Sequence, residues 1–324
     1  MDKEIGGYFG IEKFYRTEYY SNLIRVNLAR NALLYIIKVR NIKKLYIPYY
    51  LCDSVFKLCD REGIKYEYYS IDEQFLPNFH KILEADEWLY VVNYFGQINA
   101  KLQKKLKKKY GNIIVDNVQA FFQKPVSGID TIYSCRKFFG VPDGAYLSTD
   151  ANLDYELDKD VSKNRMEHVL GRYDENNANK YFEIFKEVER DFDKLELKAM
   201  SNLTQNILSG VNYKVVKKER ERNYRVLSNK LNKANKLKLL FVEGPYVYPF
   251  YCENGVDVRS KLAKRGVYVA TLWPNVLNYH SEIESDYVKN ILPLPVDQRY
   301  TVEDMDVIAS LVLECVKEKG IANV

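Results

Sequence analysis

Two short stretches of this chain carry side chains whose types and spacing could act together on a bound carbonyl compound. The first is DNVQA, which begins at Asp116 and places Gln119 three residues later, and the second is Ser134-Cys-Arg-Lys137. A lysine beside a hydroxyl can form a Schiff base while the hydroxyl holds a phosphate. A carboxylate that follows an apolar run such as NIIV is costly to bury without a cationic partner, and a protonated pyridine nitrogen would be one. Such a pair would keep the ring an electron sink.

A third stretch, Ala29-Arg30-Asn31, begins a predicted helix. Free backbone N–H groups and the positive end of the helix dipole suit a phosphate at that point. Arg30, and Arg136 beside Lys137, are also candidates to contact a phosphate or a substrate carboxylate, with a surface salt bridge as the alternative for each. Taken singly, a strand-end aspartate is often only a helix cap, and a loop lysine is usually solvated. The order and spacing of the three stretches together favour one shared site.

The elements that must position these stretches alternate between helix and strand. Helical periodicity is found at 27–39, 54–62 and 101–109, and short apolar runs are found at 44–47, 65–69, 88–94, 112–115, 129–134 and 145–148. Strands that alternate with helices indicate a mostly parallel sheet covered by helices. Ligand groups collect at the carboxyl ends of the strands in such a sheet, which is where Asp116 and Lys137 fall.

The composition changes after the last of these strands. Residues 155–235 are rich in charge and predict helices, whereas strand patterns return at 239–241 and 246–250. A helix is predicted at 256–264 and another at 302–317, where Thr301 and Asp304 form an N-terminal capping pattern. We therefore expect an N-terminal arm and a large domain over 1–210, and a smaller α+β domain over 211–324.

Composition and charge disfavour several classes of protein. The chain has 324 residues, 47% of them hydrophobic, and a net charge of +5, as is ordinary for a soluble globular protein. No apolar stretch is long enough to cross a bilayer, and the start, MDKEIGGYFGIEKF, lacks the pattern of a signal peptide. We therefore expect a cytoplasmic protein without a membrane partner. The basic run KLQKKLKKK fits an amphipathic helix with a solvated face, and it predicts no binding of nucleic acid.

Cysteine and histidine give no sign of a metal site. The five cysteines are scattered without a CxxC pair, so neither a disulfide framework nor a structural zinc site is predicted. His80, His168 and His280 are far apart in the sequence and belong to no metal-binding motif. A Ser-His-Asp hydrolase has no positive support either.

The series of motifs resembles the DegT family of aminotransferases, many of which aminate keto-sugars carried on nucleotides. The resemblance covers nearly the whole chain. It rests on DNVQA, SCRKFFGVPDGAYLSTD, IPYYLCDSV, NYFGQ, GGYFGIE, LWP and LPLPVDQRY. The chain departs from the family at Ala29-Arg30-Asn31, where Ser-Gly-Thr is usual, and at Ile132, where the phosphate serine usually lies five residues before the lysine.

The resemblance implies an α/β fold of the aspartate-aminotransferase-like class, fold type I, with pyridoxal 5′-phosphate bound covalently to Lys137. It implies that Asp116 pairs with the ring nitrogen and that Tyr50 stacks on the ring. The residues that it assigns to the cofactor, beside the catalytic Lys137, are Asp116, Gln119, Ser134, Tyr50, Arg30 and Asn31.

The resemblance also implies a reaction and an assembly. Glutamate would be the amino donor, and a nucleotide-linked keto-sugar would be the acceptor, in the synthesis of surface polysaccharide or glycan precursors. A homodimer is implied because fold type I enzymes usually build their sites between two subunits.

Other functions stay open at this point. Another fold type I enzyme, such as an amino-acid aminotransferase, a lyase or a decarboxylase, would use the same Lys137 chemistry. A non-catalytic regulatory member is kept open by the departures at Ala29-Arg30-Asn31. A nucleotide-binding α/β protein without pyridoxal phosphate is weakened by the absence of GxGxxG and P-loop motifs.

Overall fold

An eight-stranded sheet forms the centre of the N-terminal half of the chain in the computed structural model, which describes residues 5–279 and 281–318. The strands are β1 Ile24–Val26, β2 Lys44–Pro48, β3 Lys65–Ile71, β4 Pro77–Asn78, β5 Glu87–Val92, β6 Ile113–Asp116, β7 Asp130–Ser134 and β8 Ala145–Ser148. Their order in the sheet is β1-β8-β7-β6-β5-β2-β3-β4. The middle strands β7, β6, β5, β2 and β3 are parallel, and β1, β8 and β4 pair antiparallel with their neighbours. The predicted mostly parallel sheet is confirmed.

Helices connect and cover these strands. They are α1 Ala29–Arg40, α2 Asp53–Glu62 and α3 Ala100–Tyr110, followed after the sheet by α4 Glu167–Glu175, α5 Phe182–Asp191 and α6 Asn202–Gly210. The basic run of the sequence is α3, which begins where the Asn99 side chain accepts a hydrogen bond from the N–H of Leu102. It buries Leu106 and turns its lysines outward, as the amphipathic pattern predicts.

A second hydrophobic core lies in the C-terminal part of the chain. It packs against a two-stranded antiparallel sheet, β9 Val247–Tyr251 with β10 Ile291–Pro295. The helices of this part are α7 Tyr213–Leu231, α8 Gly255–Lys264, α9 Glu282–Asn290 and α10 Val302–Lys317. The capping box predicted for the last helix is present, because Thr301 and Asp304 exchange side-chain to backbone hydrogen bonds. The boundary between the domains at 210/211 stays a prediction.

Two details of the sequence-based assignment are wrong. The predicted strand at 239–241 does not form, because the side chain of Gln97 takes both backbone hydrogen bonds of Leu240. The pattern also missed β10, whose sequence ILPLP carries two prolines that lack an N–H for a ladder. Both prolines are tolerated because β10 pairs with β9 alone in its sheet. No helix among the described residues combines the length and apolarity needed to cross a membrane.

Candidate active site

Neighbouring strand ends bring the two main stretches together. Asp116 is the last residue of β6 and Ser134 is the last residue of β7, and these two strands are adjacent and parallel. Lys137 lies in the turn directly after β7. This turn is held by hydrogen bonds from the N–H groups of Phe138 and Phe139 to the carbonyl of Cys135. The sheet thus places the lysine and the carboxylate at one edge, as the sequence predicts.

Gly144 completes the turn that carries Lys137. Its φ of 111° lies in a region that other residues rarely adopt, and its carbonyl accepts a hydrogen bond from the N–H of Cys135. A Cβ at this position would lie 2.8 Å from Cγ2 of Thr204. The glycine of the VPDGA segment is therefore required by the close approach of α6.

Lys137 stands in a cleft of about 290 Å³ between the large sheet and the β9–β10 sheet. The residues that line this cleft include Lys137, Arg220, Tyr246, Tyr268, Asp297 and Arg299. The lysine side chain is exposed to the solvent of the cleft although protein surrounds it, and it forms no salt bridge with the described residues. The phenol of Tyr246 raises the pKa of Lys137, while burial acts in the opposite direction and the Cys52 thiol adds a smaller increase. A free Lys137 is therefore an ammonium at neutral pH.

Asp116 is buried, with 8% of its surface exposed. Its Oδ1 accepts a hydrogen bond of 2.8 Å from the N–H of Val118, and its Oδ2 accepts one of 2.7 Å from the hydroxyl of Tyr90. Burial raises the pKa of Asp116 to about 6, although these two bonds and the charge of Lys137 act to lower it. The carboxyl has no cation at bonding distance among the described residues, so a cationic ligand would favour its charged form.

Gln119 and the segment after β5 form a strained corner of the site. The Oε1 of Gln119 accepts a hydrogen bond of 2.9 Å from the N–H of Phe95. Phe95 has φ 53° and ψ 17°, a left-handed conformation that costs free energy for any residue other than glycine. Gly96 follows with φ 76°, and a Cβ there would lie 3.3 Å from the side chains of Gln123 and Val242. Strain of this kind is common where a binding site fixes the backbone.

The first turn of α1 has the features of an anion site. Leu28 precedes the helix and no side chain caps it, and no acidic residue lies in its first turn. Asn31 is fully buried and donates to Asn27 and to the carbonyl of Glu196, which leaves its own Oδ1 without a partner. The guanidinium of Arg30 pairs with the carboxylate of Asp193 and is therefore not free for the anion of a ligand. The backbone N–H groups at 29–31 are thus the donors that remain.

Ser134 is buried at the end of β7, and its hydroxyl bonds no other described residue. Arg136, the second candidate for an anion contact, pairs with Glu189 and lies 4.1 Å above the ring of Phe192. The salt-bridge alternative weighed for Arg30 and Arg136 is therefore what the structure shows for both.

The ring of Tyr50 is 0% exposed, packs edge-on against Trp273 at 4.6 Å and stacks with Tyr94 at 5.3 Å. Its hydroxyl is buried without a partner. Trp273 also has a left-handed φ of 53°. A stacking role for Tyr50 would require Trp273 to move away, and it stays a prediction.

Several residues of the site were missed by sequence reasoning. Tyr90 lies inside the apolar strand β5, and nothing in the sequence distinguishes it from the other tyrosines of the chain. Cys52 and Tyr246 raise the pKa of Lys137, and both lie in segments that are far from it in the sequence. Arg220 comes from α7 and Arg299 from the motif LPLPVDQRY. Only that motif was recognisable in the sequence.

Solved structures of known proteins share the fold of this chain, but comparison of its sequence finds no close relative. No protein-family model matches this chain, and no curated protein matches its sequence. NtdA from Bacillus subtilis, solved with bound cofactor PMP, matches with a TM-score of 0.66 at 14% identity, over 91% of this chain and 73% of that chain. A DegT DnrJ EryC1 StrS aminotransferase from Brucella abortus matches with a TM-score of 0.62 at 13% identity, over 91% and 86%.

A third solved structure gives the same result. PseC from Helicobacter pylori, an aminotransferase involved in the biosynthesis of pseudoaminic acid, matches with a TM-score of 0.59 at 13% identity, over 91% of this chain and 86% of that chain. At such identities the likeness establishes the fold. The predicted fold type I architecture, with its large mostly parallel sheet and smaller second sheet, is confirmed.

Proposed function

We propose that this protein is an aminotransferase that uses pyridoxal 5′-phosphate. The observation that carries the proposal is the arrangement of Lys137 in a cleft with the buried carboxyl of Asp116 behind it. Both lie at the carboxyl ends of adjacent parallel strands in a fold shared with aminotransferases. The proposal accounts for a lysine without a salt bridge and for a buried carboxyl without a cation.

The residues present fit this cofactor. A pyridinium nitrogen would supply the cation that Asp116 lacks, and Gln119 lies beside the same strand end. The uncapped N–H groups at the start of α1, around Arg30 and Asn31, together with the hydroxyl of Ser134, would hold the phosphate. No acidic residue in the first turn of α1 opposes a phosphate there.

When bound, pyridoxal phosphate would supply the electron sink that lets an amine and a ketone exchange their nitrogen. Lys137 would anchor the cofactor through its Nζ, and the same Nζ, in its neutral amine form, would take the proton from the α-carbon of the substrate and return one. Asp116 would pair in its charged form with the ring nitrogen, and Tyr90 would orient the carboxylate through the 2.7 Å hydrogen bond. The cleft would limit the access of bulk water to Lys137.

The finer parts of the proposal concern substrates and assembly. We propose glutamate as the amino donor and a nucleotide-linked keto-sugar as the acceptor, in the cytoplasmic synthesis of surface polysaccharide or glycan precursors. Support comes from similar structures named as sugar aminotransferases or as acting in pseudoaminic acid biosynthesis. A homodimer is supported by the aromatic residues Tyr8 and Phe9 of the N-terminal arm, which are 98% and 95% exposed in the single chain.

The first experiment is an absorbance spectrum of the purified protein, taken before and after borohydride reduction and followed by peptide mass mapping. We expect a near-visible band that borohydride abolishes, leaving the cofactor covalently attached to the peptide that contains Lys137. In an unreduced sample, glutamate should remove the band, which a lyase or decarboxylase without transaminase activity would not show. Absence of the band even after soaking with pyridoxal phosphate would overturn the proposal and favour the non-catalytic alternative.

A further inference from the structure

The cleft that contains Lys137 carries an excess of positive charge. Besides Lys137, the lining contains the guanidinium groups of Arg220 and Arg299, and its only carboxylate among the described lining residues is Asp297. The cleft therefore holds three cations against one anion. Groups of one sign inside a recess with low-dielectric walls raise the local concentration of ligands of opposite sign.

Arg299 neutralises Asp297 but keeps donors free. Its Nε and Nη2 donate to the two carboxylate oxygens of Asp297 at 2.7 and 2.9 Å. Burial acts to raise the pKa of Asp297, but the Arg299 guanidinium holds that pKa below its usual value. The third nitrogen of Arg299, Nη1, bonds no described residue, and the side chain is 54% exposed at the cleft. Two N–H groups of a permanent cation are thus available there.

Arg220 adds a further positive charge, and no carboxylate among the described residues forms a hydrogen bond or salt bridge with it. It is 2% exposed, and its guanidinium donates to the carbonyls of Phe138, Pro245 and Tyr246 and to the side chain of Gln298. All of these acceptors are neutral. Burial lowers the pKa of Arg220 to about 10, although Asp297 acts in the opposite direction. A buried cation without a carboxylate of its own is costly, which points to a compensating anion in the functional complex.

We propose that the positively charged part of this cleft is a binding site for an anionic group of the substrate, which Arg299 Nη1 contacts directly and which the charge of Arg220 attracts. The inference rests on the proposed function, since it assigns the substrate's anchor to the same cleft as the lysine that would carry the cofactor. The ligand chemistry is a carboxylate or a phosphate. An amino-acid donor would bring the first, and a nucleotide-linked sugar would bring the second.

The test is a calorimetric titration of the full chain, before and after soaking with pyridoxal phosphate. The probes are glutarate, a dicarboxylate without an amino or keto group, and uridine diphosphate. Arg299→Gln should weaken the binding of the responsive probe by about tenfold, because it removes a charge-assisted contact. Asp297→Asn should strengthen it several-fold, because it releases Arg299 and removes the competing carboxylate. A structural defect would not produce these opposite shifts.

Arg265→Gln is the matched control, because Arg265 pairs with Glu314 on α10 and with Glu318 directly after it and does not line the cleft. It should bind both probes like the wild type. The probe whose affinity depends on Arg299 identifies the source of the anion, carboxylate or phosphate. Absence of binding by the wild type, or equal binding by Arg299→Gln, would overturn the inference.

Borohydride trapping on Lys137 is measured on the same samples, and Arg299→Gln should retain it. Trapping without an Arg299-dependent anion would overturn the inference and leave the proposed function standing. Loss of trapping in the wild type would refute the function itself, whatever the titration shows.

Discussion

The large sheet and the C-terminal part of the molecule handle buried charge in opposite ways. On the large-sheet side, the carboxyl of Asp116 is bonded by neutral donors and its pKa rises to about 6, so that burial favours the uncharged form. On the other side, Arg220 stays a cation with a pKa of about 10 and is bonded by neutral acceptors. An acid near neutrality can lose its charge when no partner is present, whereas a guanidinium cannot.

This difference suggests which ligand group would bind near each of these charged residues. The carboxyl of Asp116 can become a carboxylate when a cation such as a pyridinium binds beside it. The side of Arg220 and Arg299 is permanently positive and is suited to an anion at any physiological pH. Substitutions of the residues on each side test this contrast.

Lys137→Ala should abolish borohydride trapping and lower the transamination rate by at least about three orders of magnitude, because no other group could anchor the cofactor or move the proton. Its stability should change by less than about 1 kcal/mol, since Lys137 forms no salt bridge with the described residues. Thermal denaturation and turnover with glutamate check both points. Lys101→Ala, on the exposed face of α3, is the control, and full activity of Lys137→Ala would refute the mechanism.

Asp116→Asn should lower activity by about a hundredfold, because a neutral amide no longer stabilises a ring cation. Without cofactor it should instead stabilise the fold. The pKa of Asp116 is about 6 in the folded chain and 3.8 as an ordinary carboxyl, so the folded state binds more protons between these values. Wild-type stability should therefore fall relative to the variant as pH rises from 4 to 6, by on the order of 3 kcal/mol.

Melting curves of the cofactor-free proteins between pH 4.5 and 7.5 measure this difference. Asp130→Asn is the matched control, because Asp130 is also buried but has a bidentate cationic partner in Arg40. That variant should be less stable than the wild type at pH 7.5. A pH-independent difference between Asp116→Asn and the wild type would contradict the assigned ionisation.

Arg220→Met should destabilise the chain by on the order of 2 kcal/mol, because the carbonyls of Phe138, Pro245 and Tyr246 lose their donor. The loss is partly offset because a buried charge is removed. Arg259→Met is the control, since Arg259 also donates to two carbonyls of the C-terminal part but lies outside the cleft. Chemical denaturation compares the two, and only Arg220→Met should also weaken the binding of an anionic probe.

Tyr90→Phe should lower stability by about 1 kcal/mol through the loss of one buried hydrogen bond. Tyr69→Phe removes a similar buried hydroxyl, bonded at 2.7 Å to the carbonyl of Tyr90, and should cost about the same. Only Tyr90→Phe should raise the pKa of Asp116 and shift the pH dependence of cofactor binding upward. Identical pH profiles for the two variants would show that Tyr90 does not tune Asp116.

The elements that carry Lys137 were predictable because their signals are local. The parallel strands are short stretches of four to seven residues with apolar and aromatic side chains, and β8 Ala145–Ser148 was predicted to the residue. The side chains Asp116, Ser134 and Lys137 follow such runs directly. A parallel sheet aligns the carboxyl ends of its strands, so residues at strand ends converge without any further information.

The partners of these residues were not predictable, because they are selected by packing. Tyr90 is one tyrosine among 28, and only the register of β5 against β6 places its hydroxyl at Asp116. The resemblance assigned Tyr50 to stack on the cofactor ring, but Trp273, from a segment more than two hundred residues away, packs edge-on against it. Arg30 and Arg136 are likewise paired with Asp193 and Glu189 across long stretches of the chain.

The amino-acid pattern was enough to predict the alternation of strands and helices, the large parallel sheet and the strand ends at which Lys137 and Asp116 meet, because periodicity and strand ends are properties of neighbouring residues. The balance of charges in the cleft became visible only in the folded chain. Arg220 and Arg299 reach the cleft from segments that are distant in the sequence, and the partner of a charged group depends on distance and burial, which exist only once the chain has folded.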